Sequence, residues 1–278
     1  MKVAVLGMGI IGSAWSKNLA ADGHEVRCWN RTWREGSGWC RTVAEAAEGA
    51  EAVFIVVADP AAVSEVLDQL VPVLQGGTLV LQCSTISAEW TKTFAARVTA
   101  TGALFLEAPF TGSKPAAEQR QTVYYLGGDE EVVAAARPLL EPISSAIFHI
   151  GPTGSASTLK LAMNLNIAGV AQSLCESLTL ARSAGISDDT YFAVLARNVS
   201  HSGVADLKEP KLRQHDYAPQ FSLKHMAKDL RLALETAAAC GVPLEQTGRL
   251  RDIYERGLAS GWGEEDFIGL VRLVEGKE

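Results

Sequence analysis

Val3-Ala-Val-Leu-Gly-Met-Gly-Ile-Ile-Gly12 opens the chain, and Glu25-Val-Arg-Cys-Trp-Asn-Arg-Thr32 follows it. The first stretch reads as a short buried strand, Val3–Leu6, running through a G-x-G-x-x-G turn into a helix. Gly7 permits the tight turn, Gly9 lets the backbone approach a pyrophosphate, and Gly12 lets the helix pack closely on the strand. The helix start offers unpaired N–H groups and a positive dipole end to phosphates. The second stretch is a strand, Glu25–Trp29, whose end is where an NAD enzyme places an acid against the adenosine ribose. Here that end carries Asn30, Arg31 and Thr32. A carboxylate would repel a 2′-phosphate, whereas a guanidinium pairs with it. The pattern predicts NADP(H), held by Gly7, Met8, Gly9, Ile10, Ile11 and Gly12 and by Asn30, Arg31 and Thr32.

Working outward, short β-rich runs alternate with helical patterns up to residue 152, as an α/β doubly wound, mostly parallel sheet requires. Strands are predicted at Val3–Leu6, Glu25–Trp29, Ala52–Val57, Leu79–Gln82, Leu104–Glu107, Val123–Leu126 and Ile147–Ile150. The apolar run Ala52–Val57 suits a central strand covered on both faces. Asp59-Pro60 stops it and opens a helix with an acidic cap; Ala58 and Asp59 join the predicted cofactor contacts. After Gly151-Pro152 the grammar changes. Leu159, Met163, Ile167, Val170, Leu174, Leu178 and Ala181 recur at helical spacing, predicting one long helix over Ser155–Ala184 with Gly185 as its cap. Further helices are expected over Lys224–Cys240 and Leu244–Ala259. The expected architecture is a Rossmann domain over 1–152 and an all-helical domain over 153–278, joined by that helix.

The chain has 278 residues, 47% hydrophobic and 21% charged, with a formal net charge of −7. An acidic chain with no basic run argues against nucleic acid as partner. No uninterrupted apolar segment is long enough for a membrane span, and the glycine-broken N-terminus does not read as a secretion signal. Five scattered cysteines without a C-x-x-C pair predict a reduced, cytoplasmic setting. The histidines have no metal-ligand spacing, and no metal is expected.

Reducing a carbonyl with a nicotinamide needs a proton donor, anchors for the substrate and a dry fit. Lys160 is the candidate donor: it stands near the start of the long helix, with Asn164 one turn on along the same face. A helical lysine is otherwise a solvated surface residue. Thr111, Gly112 and Ser113, after a strand, form either an anion nest for a carboxylate or a plain strand-ending turn. Ser84-Thr85 is either a helix cap or a hydroxyl contact to ribose and substrate. Lys228 and Asp229 are either an exposed charged pair or a lysine reaching the cofactor beside an acid that positions the catalytic ammonium. His225 reads as packed or surface-exposed rather than catalytic.

Four motifs now stand in order: G-M-G-I-I-G with W-N-R-T, E-A-P-F-T-G-S, G-P-T-G-S-A-S-T-L-K-L-A-M-N, and F-S-L-K-H-M-A-K-D. Together they resemble the β-hydroxyacid dehydrogenase family, which includes 3-hydroxyisobutyrate dehydrogenase, on its glyoxylate/succinic semialdehyde reductase branch. The resemblance implies an active site in the cleft between the domains, with Lys160 as catalytic lysine and Asn164 as its neighbour. It puts Thr111, Gly112 and Ser113 on the substrate-carboxylate loop, Thr85, Phe221 and Asp229 in the substrate pocket, and Lys228 and Thr85 at the cofactor. It also implies a homodimer or homotetramer and a small carboxylate-bearing carbonyl substrate reduced by NADPH. This chain departs from the family's P-V-S-G-G or P-V-S-G-S loop at Phe110 and Thr111. It also carries Arg120 and Thr122 where a Gly and a Leu are usual, Arg120 reading as a second anion anchor or a surface turn. In the short segment after Thr32, Trp33 or Trp39 either covers the adenine or packs in the core. Two alternatives stand beside this reading. One is an imine reductase, suggested by Tyr124-Tyr125; the other is a non-catalytic NADP-binding protein.

Overall fold

The computed structural model describes residues 1–276. The chain divides into two compact units, Met1–Lys160 and Leu161–Glu278.

The first unit alternates strands and helices: β1 (Lys2–Leu6), α1 (Ile10–Ala21), β2 (Glu25–Trp29), α2 (Val43–Ala47), β3 (Ala52–Ile55), α3 (Pro60–Leu70), β4 (Leu79–Gln82), α4 (Ala88–Thr99) and β5 (Leu104–Glu107). After these come β6 (Phe110–Thr111), α5 (Lys114–Glu118), β7 (Thr122–Gly127), α6 (Glu130–Leu140), β8 (Ser144–Gly151) and the start of α7 (Ser155–Ser183). Among the described residues these strands form one sheet in the order β2-β1-β3-β4-β5-β7-β6, with β8 on β7. The strands from β2 to β5 are all parallel. Successive side chains point to opposite faces, so the continuous apolar runs fill two cores at once. Val3, Val5, Phe54 and Leu81 pack with Trp15 and Leu19 on one face. Ala4, Leu6, Val53, Ile55 and Val80 pack with Val63, Leu67 and Phe94 on the other.

Two details of the sheet have local causes. β7 runs antiparallel to β5, because the chain between them carries only the two-residue β6 and the five-residue α5. Residues 108–121 are enough chain for a crossover, but the short α5 does not span the sheet and β6 folds back to pair antiparallel with β7. The strand expected to reach Val57 stops at Ile55, where the Val57 N–H turns away to Ser84 Oγ at 2.9 Å.

The second unit is helical: the rest of α7, α8 (Asp188–Leu195), α9 (Gly203–Gln214), α10 (Leu223–Ala239), α11 (Glu245–Ala259) and, after a 3-10 turn at Phe267–Leu270, α12 (Val271–Val274). Its core is built from Leu174, Leu178, Phe192, Leu212, Met226, Leu230, Leu250, Tyr254, Phe267 and Ile268. The buried stripe of α7 differs from the apolar spacing in the sequence. Lys160, Asn164, Ala168, Ala171, Cys175 and Leu178 are buried, whereas Met163 is exposed. Two polar residues and two alanines open this stripe, so hydrophobicity alone points to the neighbouring face.

Candidate active site

The glycine turn leaves β1 at the point where the strand order reverses, with β2 on one side and β3 on the other. Sheets of this kind bind ligands at that position. Gly7 adopts φ +114°, and a Cβ there would collide with the Val56 carbonyl, as one on Gly12 would with the Gly7 carbonyl. Gly9 is the opposite case: nothing lies within 4 Å of where its Cβ would point. Gly9 caps α1, whose first turn has neither a side-chain cap nor an acid. Open backbone at an uncapped, acid-free helix start fits a pyrophosphate. Met8 is buried and Ile10 exposed.

At the end of β2, Asn30 Oδ1 accepts the Met8 N–H at 3.2 Å and Asn30 Nδ2 donates to the Thr32 carbonyl at 3.2 Å. Asn30 thus ties the glycine turn to the segment that carries Arg31 and Thr32, both exposed. Trp39 is half-buried beside the core, whereas Trp33 is exposed with the Arg41 guanidinium 4.4 Å over its ring. Asp59 Oδ1 accepts the Ala62 N–H at 2.8 Å, the acidic cap read from the sequence. Ser84 does not cap α4; Ser87 does, accepting the Trp90 N–H. Ser84 instead accepts the Val57 N–H and donates to Ile55, bracing the ends of β3 and β4 beside the half-buried Thr85.

Phe110 and Thr111 form β6 against Tyr124 and Val123. Phe110 meets Trp15 edge-on at 4.7 Å, so the bulky residue of the loop fills core space. Gly112 follows with φ +124°, and Ser113 leads into α5. Tyr124 is fully buried at 5.3 Å from Trp15. Arg120 adopts φ 61°, a left-handed conformation that favours glycine. Its guanidinium donates to Asp22 Oδ2 at 2.7 Å, the Pro142 carbonyl at 2.9 Å and the Asn18 carbonyl at 3.3 Å. It is a surface brace between α1 and the turn before β8, not an anion anchor.

Lys160 is only 8% exposed, unlike an ordinary helical lysine. One turn further along α7, Asn164 Nδ2 donates to Asp229 Oδ2 at 2.6 Å. Asp229 Oδ1 lies 2.9 Å from Lys228 Nζ, and the aspartate is 2% exposed. The alternative of an exposed charged pair at 228–229 is thereby excluded. With Nδ2 committed to a carboxylate, the Asn164 amide has its acceptor oxygen on the other side. Phe221 stacks on His225, whose Nδ1 is 2.7 Å from Ser222 Oγ. Burial, then the charges of Lys228 and Lys224, hold His225 below its ordinary pKa and so neutral.

Glu107 has no role in the sequence reading, although it lies in E-A-P-F-T-G-S. It is fully buried at the end of β5, and its carboxylate accepts the N–H groups of Gly154 and Ser157. The available signal is an acid closing an otherwise apolar strand, Leu-Phe-Leu-Glu107.

Residues 2–151 match the model for the NAD binding domain of 6-phosphogluconate dehydrogenase. Residues 154–274 match the one described as NAD-binding of NADP-dependent 3-hydroxyisobutyrate dehydrogenase. The chain belongs to the 3-hydroxyisobutyrate dehydrogenase family. This is a family of NAD(P)-dependent hydroxyacid dehydrogenases. The chain is 29% identical to glyoxylate/succinic semialdehyde reductase 1 of Arabidopsis thaliana, over 99% of each chain. It is 30% identical to cytokine-like nuclear factor N-PAC of Mus musculus, covering 98% of itself but 50% of that relative's length. Among solved structures, a 3-hydroxyisobutyrate dehydrogenase of Mycobacterium tuberculosis with L-serine matches with a TM-score of 0.88, at 26% identity over 98% of both chains. No helix among the described residues is long and apolar enough to cross a membrane.

Proposed function

We propose that the chain is an NADPH-dependent reductase of a small carboxylate-bearing aldehyde or keto acid, of the glyoxylate or semialdehyde type. The observation that carries this is the buried Lys160, one turn from an asparagine whose amide is fixed by a buried aspartate. NADPH, when bound, supplies the hydride that reaches the carbonyl carbon. Lys160 donates a proton to the carbonyl oxygen, completing the hydroxyacid. Asn164, its Nδ2 held by Asp229, turns its Oδ1 toward the ammonium and keeps it in register. Thr111, Ser113 and the N–H groups around Gly112 hold the substrate carboxylate, with Thr85 and Phe221 lining the pocket. Gly7 to Gly12 receive the pyrophosphate with Ala58 and Asp59 nearby, and Lys228 reaches the cofactor. Arg31 and Thr32, with no acid at residues 30–32, favour the 2′-phosphate of NADP(H) over the free hydroxyl of NAD(H). A homodimer or homotetramer in the cytoplasm belongs to the same proposal.

Lys160→Ala tests it. General acid catalysis contributes about 10²- to 10⁴-fold. The variant should bind NADPH as the parent does and lose turnover of glyoxylate or succinic semialdehyde by that factor. Near-parental turnover would reject Lys160 as the donor. A parallel assay with a cyclic imine separates the imine reductase alternative, and a parent inert toward every carbonyl and imine tried would favour a binding protein.

A further inference from the structure

Several helices of this chain are capped by a hydroxyl of their own: Ser87 for α4, Ser187 for α8 and Ser202 for α9. α7 is held differently. Its first turn presents N–H groups that the helix cannot satisfy internally. Glu107, from β5, takes two of them, Gly154 N on Oε2 at 2.7 Å and Ser157 N on Oε1 at 2.6 Å. The carboxylate is fully enclosed, and burying a charge costs more than burying a serine hydroxyl. Burial accordingly pushes the Glu107 carboxyl up, against hydrogen bonds from Ser157, Gly154 and Ala156. Room is left for it. Gly127 is its register partner on β7, and a Cβ on Gly127 would collide with Oε2. A carboxylate at 0% exposure, seated in a gap left by a glycine, does more than cap a helix that a hydroxyl could cap.

Lys160 stands three residues beyond Ser157 and Asn164 four beyond that, so the three share one helix face. We propose that Glu107 is a positioning residue for Lys160: by gripping both ends of the first turn of α7, it fixes the direction and rotation with which the helix leaves the sheet, and so the aim of the ammonium. This rests on the reading of Lys160 as proton donor. The two oxygens act as a fork, and neither N–H can move along or around the helix axis without lengthening a bond.

Two substitutions in the full-length protein test it, with glyoxylate or succinic semialdehyde and NADPH as probes. Glu107→Gln keeps the volume but replaces one acceptor oxygen by an amide NH2, a donor set against an N–H. Gly127→Ala leaves Glu107 in place and forces its carboxylate to shift. A misplacement of about 1 Å can cost 10²-fold. Both variants are expected to lose about 10- to 100-fold in kcat, while KM for the carbonyl and Kd for NADPH, read by fluorescence titration, stay within about 2-fold. Thr91→Val is the control for general loosening. Thr91 Oγ1 lies 2.9 Å from Ser157 Oγ and braces the same turn without charge; this variant should keep parental kcat. In a Lys160→Ala background, Glu107→Gln should remove nothing further from the residual turnover. Parental kcat in both Glu107→Gln and Gly127→Ala would overturn the proposal, as would an equal loss in Thr91→Val. If Glu107→Gln does not fold, Gly127→Ala decides alone by the same readouts. Failure of the underlying reading looks different, since Lys160→Ala itself would then remain active.

Discussion

Breaking the buried ion pair between α9 and the segment before the 3-10 turn should destabilise the helical unit unequally from its two sides. Lys208 Nζ lies 2.8 Å and 2.9 Å from the two oxygens of Asp266, and both side chains are almost wholly enclosed. Removing one partner of such a pair costs about 3–5 kcal/mol, because the other charge stays buried. The structure decides which end of that range applies. After Lys208→Met, Asp266 still accepts the N–H groups of Gln220 at 2.9 Å, Ile268 at 3.1 Å and Phe221 at 3.3 Å. That network compensates the orphaned carboxylate, so about 3 kcal/mol is expected. After Asp266→Ala, the ammonium keeps Gln220 Oε1 at 3.1 Å and the Phe267 ring at 4.6 Å, and three backbone donors lose their acceptor. About 5 kcal/mol is expected there. Lys208→Met with Asp266→Leu should cost less than the sum of the singles but not return to the parent, since each orphaned N–H still costs about 1–3 kcal/mol. Guanidinium melts followed by circular dichroism at 222 nm measure all three, resolved by unit if the transitions separate. A Lys208→Met cost below about 1 kcal/mol, or a larger cost from the lysine side than from the aspartate side, would refute the reasoning.

Three further outcomes are expected. Arg31→Glu should weaken NADPH binding by about 10- to 100-fold, the value of one hydrogen bond to a charged group, and leave NADH nearly unchanged; equal Kd values for NADPH in variant and parent would count against the 2′-phosphate assignment. Arg120→Ala keeps the left-handed backbone and loses the bonds to Asp22, Pro142 and Asn18, whereas Arg120→Gly loses the bonds but relieves the backbone. Thermal melting should therefore rank parent above Gly above Ala, the last two separated by about 1 kcal/mol. The Arg182 guanidinium, hydrogen-bonded to both oxygens of Asp188, holds that carboxyl below its ordinary value of about 4. A lowered folded-state pKa means the pair stabilises fully above pH 4 and loses its contribution as pH falls through the lower folded value. The stability difference between parent and Asp188→Asn, about 1 kcal/mol at pH 7 for so accessible a pair, should hold down to about pH 4 and shrink as the pH falls below it.

The parts of this molecule that were legible in its sequence are those where backbone geometry limits the residue type. Gly7 at φ +114° and the open Gly9 cannot be replaced without filling space or forcing strain, so the turn declares itself. The strands β1, β3 and β4 are equally plain, because burial on both faces makes Val3–Leu6, Ala52–Ile55 and Leu79–Leu81 continuous apolar runs. What the sequence hid depends on side chains acting at a distance along the chain. The stripe Lys160, Asn164, Ala168 is buried by its surroundings and not by its own hydrophobicity, so periodicity pointed to Met163 and its neighbours. The reversal of β7 followed from a helix too short to cross the sheet, a matter of length that composition does not register. Arg120 is the instructive case. An arginine in a left-handed turn reads from the sequence as a charge at a site, yet three hydrogen bonds show that charge holding the turn closed. Glu107 makes the converse point: an acid that reads as the accidental end of a strand meets the chain again 47 and 50 residues later, at the start of the helix that carries the lysine. In both cases the type of residue was visible and its partner was not, and it is the partner that separates a binding group from a brace.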